Sequence, residues 1–501
     1  MNEYNRKDWQ IAALVTLIVF ILAAFTLTPG TNTWGDDNAA YLVEGISIAE
    51  GRFHEQAEIN YQYHPSDLPV EADEGTLVYV WGYPLLLSII YRITGFDQVH
   101  FASVIWYKIP SLLSLAFTGG VLTLFFRRRF SLYTAAGAAL VFCMSGNLFE
   151  SVNGLYSDLV FLFFSMLTLH LMECFISDIR DERQVIRTGL IYAASLWITY
   201  ETRLSGFTVC GAALLGHAIA VLRNKNLQER KKIWQHLLPY LVTVLLIFLS
   251  EQLWLAPATQ NMSEIGKPSE ERIRYYCQMI FEFFDTMPRI PFRGAGYIFL
   301  AALVIGLLAN GFMENLHLTI LMIGTLIVAV CLPYTNGQRY LYNVFPIMVL
   351  YCLYGFQVMR RAIRRIRKPE IRSFGKIIAL AAAGEILFFS CANQVYRGGY
   401  NLIHWGESYS YDMYSDEAKE MYHYIQESIP KDAVIAFGKP RALYLNTGRM
   451  SFRVNHNGHE MTDADYYMKH KIINLDDEEI CTTDMETCRE NNYLVLYKIS
   501  K

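Results

Sequence analysis

Apolar windows of about 20 residues recur along the first four-fifths of the chain, the length a helix needs to cross a bilayer core. Eleven can be read: 11–29, 101–126, 131–148, 154–176, 188–201, 203–222, 237–257, 295–312, 316–333, 340–358 and 376–395. Only Tyr200–Glu201–Thr202–Arg203 separates the fifth from the sixth, which predicts a tight hinge. One more apolar stretch, 77–93, is short, aromatic and broken by Gly82–Tyr83–Pro84. It reads as a helix lying in the interface, with Trp81, Tyr83 and Tyr91 at headgroup depth. Near residue 399 the pattern changes. Residues 415–428 open on a Ser415–Asp416 cap and keep helical spacing. Ala433–Phe437, Lys471–Leu475 and Tyr493–Ile499 read as short strands. The predicted fold is mainly α: a polytopic transmembrane bundle over 1–398, followed by a small α/β domain over 399–501.

Composition agrees. The chain has 501 residues, 53% of them hydrophobic, and only 18% charged, where a soluble domain carries about 25%. Its net charge is -4. These values exclude a disordered chain, a disulfide scaffold and a basic nucleic-acid binder. Lys and Arg sort by loop. With the N-terminus inside, 21 of the 43 basic residues fall on the cytoplasmic side, among them Arg127–Arg128–Arg129, a cluster from Arg223 to Lys232 and a run from Arg360 to Lys376. Residues 30–100 hold only Arg52 and Arg92. The positive-inside rule then predicts a multi-pass protein with a cytoplasmic N-terminus and an extracytoplasmic C-terminal domain. Counting 77–93 as a span would invert that alternation. The first span reads as a retained anchor, because Leu27–Thr28–Pro29–Gly30 is no small-residue cleavage site. Of nine cysteines, seven lie in or near apolar stretches. Cys481 and Cys488 lie in the tail, where a disulfide and two free thiols are both open. There is no C-x-x-C or H-E-x-x-H, so no metal site is legible.

The first exterior loop, 30–100, carries 11 acidic residues against two basic ones. It is far longer than a passive connection. It opens on Asp36–Asp37 before a helical segment, 38–51. Either carboxylate could cap that helix, or act as a general base on a hydroxyl at the membrane surface. Ionisable residues near span ends are costly and usually paired or functional. Asp158, Glu201, Arg203 and Arg339 all fall on the predicted side of Asp37. Asp158 could cap its helix or pair with Arg203, and Arg339 could be an interfacial anchor. In a functional reading, Arg203 and Arg339 hold a phosphate. Lys108 could join them or snorkel outward. His64 is either an exposed loop residue or a ligand for phosphate or metal.

The run D-D-N-A-A-Y-L-V-E-G-I-S-I-A-E-G, 36–51, resembles the first-loop signature of the GT-C superfamily, membrane glycosyltransferases that use polyprenyl-phosphate sugars. The nearest branch is the bacterial group similar to protein O-mannosyltransferases and lipid A aminoarabinose transferase. Asp37, Tyr41 and Gly51 match the signature, and Asp36 is the alternative acidic residue. W-G-Y-P-L-L-L-S-I-I-Y-R-I-T-G resembles the group's second interfacial element. L-Y-S-D-L-V-F carries its Ser–acidic pair, Ser157–Asp158. Q-R-Y-L-Y-N-V-F-P resembles its R-Y-x-x-x-x-x-P segment, with Arg339, Tyr340 and Pro346. K-P-R-A-L-Y-L-N-T-G-R looks like its exterior domain. The resemblance implies a glycosyltransferase with Asp37 as base and with Tyr41, Asp158, Arg339 and Tyr340 in its motifs; the residues themselves add Arg203, Arg339 and Lys108 as candidates for the donor phosphate and His64 as a supporting candidate. It implies a polyprenyl-phosphate sugar as donor and a lipid, glycan or protein hydroxyl as acceptor. A divalent metal near this loop, known in some relatives, has no legible ligand set here. A transporter or lipid flippase is the rival. It predicts half-repeats and charges at the bilayer midplane, and neither is legible in the sequence.

Overall fold

The structure, a computed structural model, describes residues 4–31, 34–52, 79–95, 103–181, 184–224, 227–228, 232–253, 266–287, 294–311, 315–332, 335, 337–365, 369–405, 412–454, 460–475, 480–483 and 485–499. In chain order the helices of the first part are α1 (Arg6–Phe25), α2 (Asp36–Glu50), α3 (Gly82–Thr94), α4 (Ser103–Tyr107), α5 (Ile109–Arg127), α6 (Leu132–Cys143), α7 (Gly146–Asn153) and α8 (Asp158–Asp181). There follow α9 (Val185–Thr202), α10 (Gly206–Arg223), α11 (Ile233–Leu253), α12 (Glu270–Thr286), α13 (Ala295–Gly306), α14 (Leu316–Cys331), α15 (Phe345–Arg364) and α16 (Pro369–Ile403). The C-terminal part adds α17 (Asp416–Ser428), β1 (Val434–Ala436), α18 (Pro440–Thr447), β2 (Met450–Phe452), β3 (Tyr466–His470), β4 (Glu486–Glu490) and β5 (Leu494–Lys498).

The apolar windows of the sequence fall mainly on helix among the described residues. Among the described residues, five helices are long and apolar enough to cross a membrane, and α6 with α7, bent by 54°, would make a sixth. The fold is therefore a mainly α bundle of membrane-spanning helices with a small C-terminal sheet. Exposure along the spans follows their surroundings. α5 is apolar all round and buried among its neighbours, as an all-round hydrophobic helix should be. α1 and α11 instead turn Leu14, Leu17 and Ile21, and Leu241, Val244 and Phe248, outward to where lipid would lie. At the crossing of α13 and α15 the backbones touch. A Cβ on Gly306 would overlap the Tyr351 carbonyl, and one on Gly355 the Ala302 carbonyl. Small residues permit such close crossings, where dispersion rather than the hydrophobic effect holds helices together.

The two ends of the bundle differ. At one end Arg127 Nε meets Asp8 Oδ1 at 2.8 Å, Arg129 pairs with Glu173, and Arg128 lies 3.5 Å from the same carboxylate. At the other end lie the exit of α1, the starts of α5 and α8, and the turn between α9 and α10. The C-terminal part packs there.

That part has a five-stranded sheet in the order β2-β1-β3-β5-β4. β1 is parallel to β2 and β3, with Ile435 opposite Ser451 and Tyr466. β5 is antiparallel to β3, with Met468 opposite Leu496, and to β4, with a bulge between Thr487 and Arg489. The helix expected at 415–428 forms, capped by Ser415 Oγ, which accepts from Ala418 N at 3.2 Å. The strand expected at 471–475 is displaced. The strand is 466–470, and the following residues turn away to bring β5 alongside. Its polar Lys469 and His470 hid it in the sequence, since pairing on both edges, rather than an apolar run, fixes it there. Cys481 and Cys488 are free thiols.

The C-terminal core is not self-contained. Trp34, Leu42, Tyr83 and Leu87 from the first part form one buried cluster with Met421, Ile425, Ile435, Phe437, Leu443 and Leu496. The interfacial reading of 77–93 is corrected in one respect. α3 is a separate 13-residue helix, but Trp81 and Tyr83 are buried in protein instead of reaching lipid headgroups. α2, α9 and the C-terminal part supply a drier environment than a headgroup layer does.

Candidate active site

α2 begins on the N-cap Gly35 and ends on Gly51 in the left-handed conformation, φ 74°. Asp36 and Asp37 therefore stand in its first turn, where the helix dipole favours carboxylates. Neither caps its own helix. Their neighbouring side chains face different partners, because successive helical residues turn by about 100°.

Asp36 faces the C-terminal part. Its Oδ1 accepts from the backbone N–H of Arg441 at 2.9 Å and of Ala442 at 3.2 Å. It thus caps α18, a helix some 400 residues away in sequence. Burial raises the carboxyl from its ordinary value, while Arg441 and the Ala442 N–H pull the other way. Arg441 Nε lies 3.9 Å from Asp36 Oδ2. Against the cost of burial, Tyr79, Asp36, Asp37 and Glu44 hold the Arg441 guanidinium charged.

Asp37 faces the bundle end. Its side chain is 45% exposed. Tyr79 Oη donates to Asp37 Oδ1 at 2.8 Å. Burial, with the Asp37 carboxylate beside it, pushes Tyr79 well above its usual range, so the phenol stays a donor. Tyr41, one turn along α2, stacks on Tyr79 with centroids 4.3 Å apart and bonds Ser157 Oγ at 3.0 Å. That contact ties the first loop to the start of α8.

Asp158, the first residue of α8, is wholly buried between two arginines. Arg203 pairs with Oδ1, and Arg339 Nε donates to Oδ2 at 2.9 Å. Arg339 Nη2 reaches to 3.8 Å from Asp37 Oδ2. The side chains thus form one line: Arg203, Asp158, Arg339, Asp37. Rings back the guanidiniums. Arg339 lies 3.7 Å from the Tyr156 centroid and Arg203 4.9 Å from that of Tyr340. Arg203 and Arg339 keep 19% and 28% of their side-chain surface exposed. The buried carboxylate orients them, and their remaining N–H groups stay reachable.

Two glycines hold the arrangement. A Cβ on Gly154 would overlap the Tyr156 ring, and one on Gly82 the Glu201 carbonyl. The first lets Tyr156 lie beneath Arg339. The second lets α3 start against the turn that carries Arg203. Beyond Tyr156 and Arg339 opens a cavity of about 630 Å³, lined across from them by Asn147, Ser151, Gln338 and Tyr342.

The structure thus brings Asp37, Tyr41, Asp158, Arg203, Arg339 and Tyr340 together and gives Asp36 a different task. Lys108 stands apart from this group. It is fully buried, and its ammonium donates to the Gly30 carbonyl at 2.5 Å and the Thr28 carbonyl at 2.6 Å, with Thr28 Oγ1 and Asn153 Oδ1 each at 3.2 Å. These oxygens take up its protons, so it anchors the exit of α1. His64 lies outside the described residues. Among the described residues no three His, Cys, Asp or Glu side chains gather as a metal site. Asp37 and Asp158 are instead engaged by arginine. Sequence reading missed Tyr79, Tyr156 and Arg441. Tyr156 directly precedes the Ser157–Asp158 pair, and Arg441 stands within the quoted K-P-R-A-L run, but neither carries a signal of its partner.

No family model and no curated protein sequence matches the chain. Solved structures do. ArnT from Cupriavidus metallidurans, bound to undecaprenyl phosphate, is similar over 98% of this chain and 98% of its own, with a TM-score of 0.56 and 11% identity. The Archaeoglobus fulgidus oligosaccharyltransferase in its apo form is similar over 92% of this chain and 69% of its own, with a TM-score of 0.55 and 11% identity. The same organism's AglB, in complex with an inhibitory peptide and a dolichol-phosphate, covers 90% of this chain and 69% of its own, with a TM-score of 0.50 and 12% identity. At such identities the likeness concerns the fold: this chain has the GT-C fold.

Proposed function

We propose that the chain is an integral-membrane glycosyltransferase that moves a sugar from a polyprenyl-phosphate donor to an acceptor hydroxyl at the exterior face. The observation that carries this is the line Arg203–Asp158–Arg339–Asp37 at one end of a GT-C bundle. It joins a half-exposed carboxylate to two oriented guanidiniums. Asp37 takes the proton of the acceptor hydroxyl as its oxygen bonds the anomeric carbon. The bond from that carbon to the phosphate oxygen breaks, and the electron pair leaves on the lipid phosphate. Arg203 and Arg339 stabilise the charge gathering there, as preorganised donors do best in a site that excludes water. A single displacement inverts the anomeric configuration. Tyr79 holds Asp37 in place through its hydrogen bond, and Tyr41 braces Tyr79.

Two neighbours with this fold carry undecaprenyl phosphate and dolichol-phosphate, which supports a polyprenyl-phosphate donor. The basic clusters at Arg127–Arg129 and Arg223 leave the opposite end of the bundle from Asp37. By the positive-inside rule this favours an exterior site, a cytoplasmic N-terminus and an extracytoplasmic C-terminal domain. The acceptor is a hydroxyl of a lipid, glycan or protein.

The test uses purified full-length protein in nanodiscs. Undecaprenyl phosphate should bind, and Arg203→Gln and Arg339→Gln should each weaken it at least tenfold. Polyprenyl-phosphate sugars should be turned over with a hydroxyl acceptor, and Asp37→Asn should stop the reaction. Absence of both binding and turnover overturns the reading.

A further inference from the structure

We propose that the cavity beyond Tyr156 and Arg339 is a binding site for an uncharged, hydroxyl-rich saccharide ring. The inference rests on the glycosyltransferase reading and adds to it the chemistry of the group that reaches the site. The cavity's 630 Å³ lies within the range of about 300–1,000 Å³ usual for small-molecule sites. Among the described residues that line it, most are polar and Met279 is the one aliphatic side chain, while carbon surface, that of Tyr156 and Tyr342 included, makes up much of the wall. An isoprenoid chain would strand those polar groups without hydrogen bonds, at a cost. A polyol would satisfy them.

The polar groups are already fixed. Ser151 Oγ donates to the Asn147 carbonyl at 2.9 Å and meets Tyr342 Oη at 2.9 Å, and Tyr342 Oη reaches the same carbonyl at 3.2 Å. Asn147 Nδ2 donates to Gln338 Oε1. That bond uses one amide proton and one lone pair, so both side chains keep donor and acceptor capacity. Paired amides and hydroxyls of this kind suit adjacent sugar hydroxyls, each of which both donates and accepts.

Charge narrows the ligand further. Among the described lining residues Glu150 is the one charged side chain besides Arg339, and Arg397 Nη2 pairs with it at 2.9 Å. An ammonium on the ring would meet only this paired carboxylate, and a carboxylate on the ring would compete with Asp158 and the donor phosphate for Arg339. Arg339 stands in the wall shared with Asp37, so a ring held here lies next to the phosphate-binding and proton-accepting groups. Both the transferred sugar of the donor and the acceptor glycan present this chemistry.

The experiment uses full-length protein in nanodiscs and a panel of neutral, amino and uronic monosaccharides. Binding is read by saturation-transfer NMR, and undecaprenyl phosphate is titrated in parallel. Neutral sugars should bind in preference to charged ones. Asn147→Leu and Gln338→Leu should each weaken that binding at least tenfold while leaving undecaprenyl phosphate affinity within twofold, which also shows that the variants are folded. Ser151→Ala, a smaller change, should show the same order of effects. In turnover, a rise in the donor KM assigns the ring to the donor sugar, and a rise in the acceptor KM assigns it to the acceptor. Unchanged sugar binding in the leucine variants, preference for a charged sugar, or no sugar binding at all overturns the inference. If undecaprenyl phosphate binding then still depends on Arg203 and Arg339, the glycosyltransferase reading survives. If that dependence is also missing, the reading itself fails.

Discussion

Asp36 and Asp37 are adjacent in sequence and chemically identical, yet their surroundings predict opposite consequences of mutation. Asp37→Asn removes a carboxylate that is 45% exposed and whose nearest cation is 3.8 Å away. Exposed ion pairs contribute about 0–1 kcal/mol, and the amide still offers an oxygen to Tyr79, so stability should change by less than about 1 kcal/mol. Catalysis should suffer far more. General base catalysis contributes about 10²–10⁴-fold, equivalent to about 3–5 kcal/mol of barrier. Asp36→Ala removes the acceptor for two backbone N–H groups at the start of α18, at 2.9 and 3.2 Å. Loss of such a cap costs about 0.5–2 kcal/mol and loosens the docking of the C-terminal part on α2. Turnover of the folded protein should fall by much less than 100-fold. The assay pairs thermal unfolding in nanodiscs with single-turnover transfer from a polyprenyl-phosphate sugar. The expected result is a stable, inactive Asp37 variant and a less stable, active Asp36 variant. A reversal, with Asp37→Asn keeping at least a tenth of the wild-type rate while Asp36→Ala loses 100-fold, would refute the assignment.

Gly154→Ala forces a methyl into the Tyr156 ring. Overpacking of this kind costs about 1–3 kcal/mol, and undecaprenyl phosphate affinity should drop as Arg339 loses its support; unchanged affinity and Tm would dismiss the steric role. Lys108→Met leaves the Thr28 and Gly30 carbonyls without their donor. Unfolding should be easier by about 1–3 kcal/mol, with lipid phosphate affinity of the folded fraction unchanged in a titration; a large loss of affinity there would restore Lys108 to the phosphate site. Asp158→Asn leaves two guanidiniums facing each other across a neutral amide. Breaking a buried pair costs about 3–5 kcal/mol, less here because both arginines are partly exposed; the Tm should fall below that of the Asp37 variant, and an equal or higher Tm would show that the pairing is not stabilising.

The sequence by itself determined what depends on short-range patterns. Runs of apolar residues located the helices of the bundle among the described residues, because a helix must satisfy its own backbone wherever water is absent. The loop charges supplied an expected orientation, and the acidic pair after the first span, with Tyr41 one turn on, supplied a candidate site. It preferred Asp37 to Asp36 only through the resemblance, with nothing in the chain's own pattern to separate them. That choice depends on α18, folded from residues 440–447, which claims Asp36 and leaves Asp37 to the arginines. Nor could it place Lys108, whose charge reads the same whether phosphate or backbone carbonyls surround it. Tyr79, Tyr156 and Arg441 were illegible for a like reason: their partners lie on other elements, and no local periodicity encodes contacts made across hundreds of residues. Only the tertiary structure decided these, since an ionisable group's task is set by what packs within a few ångströms of it, not by its neighbours along the chain.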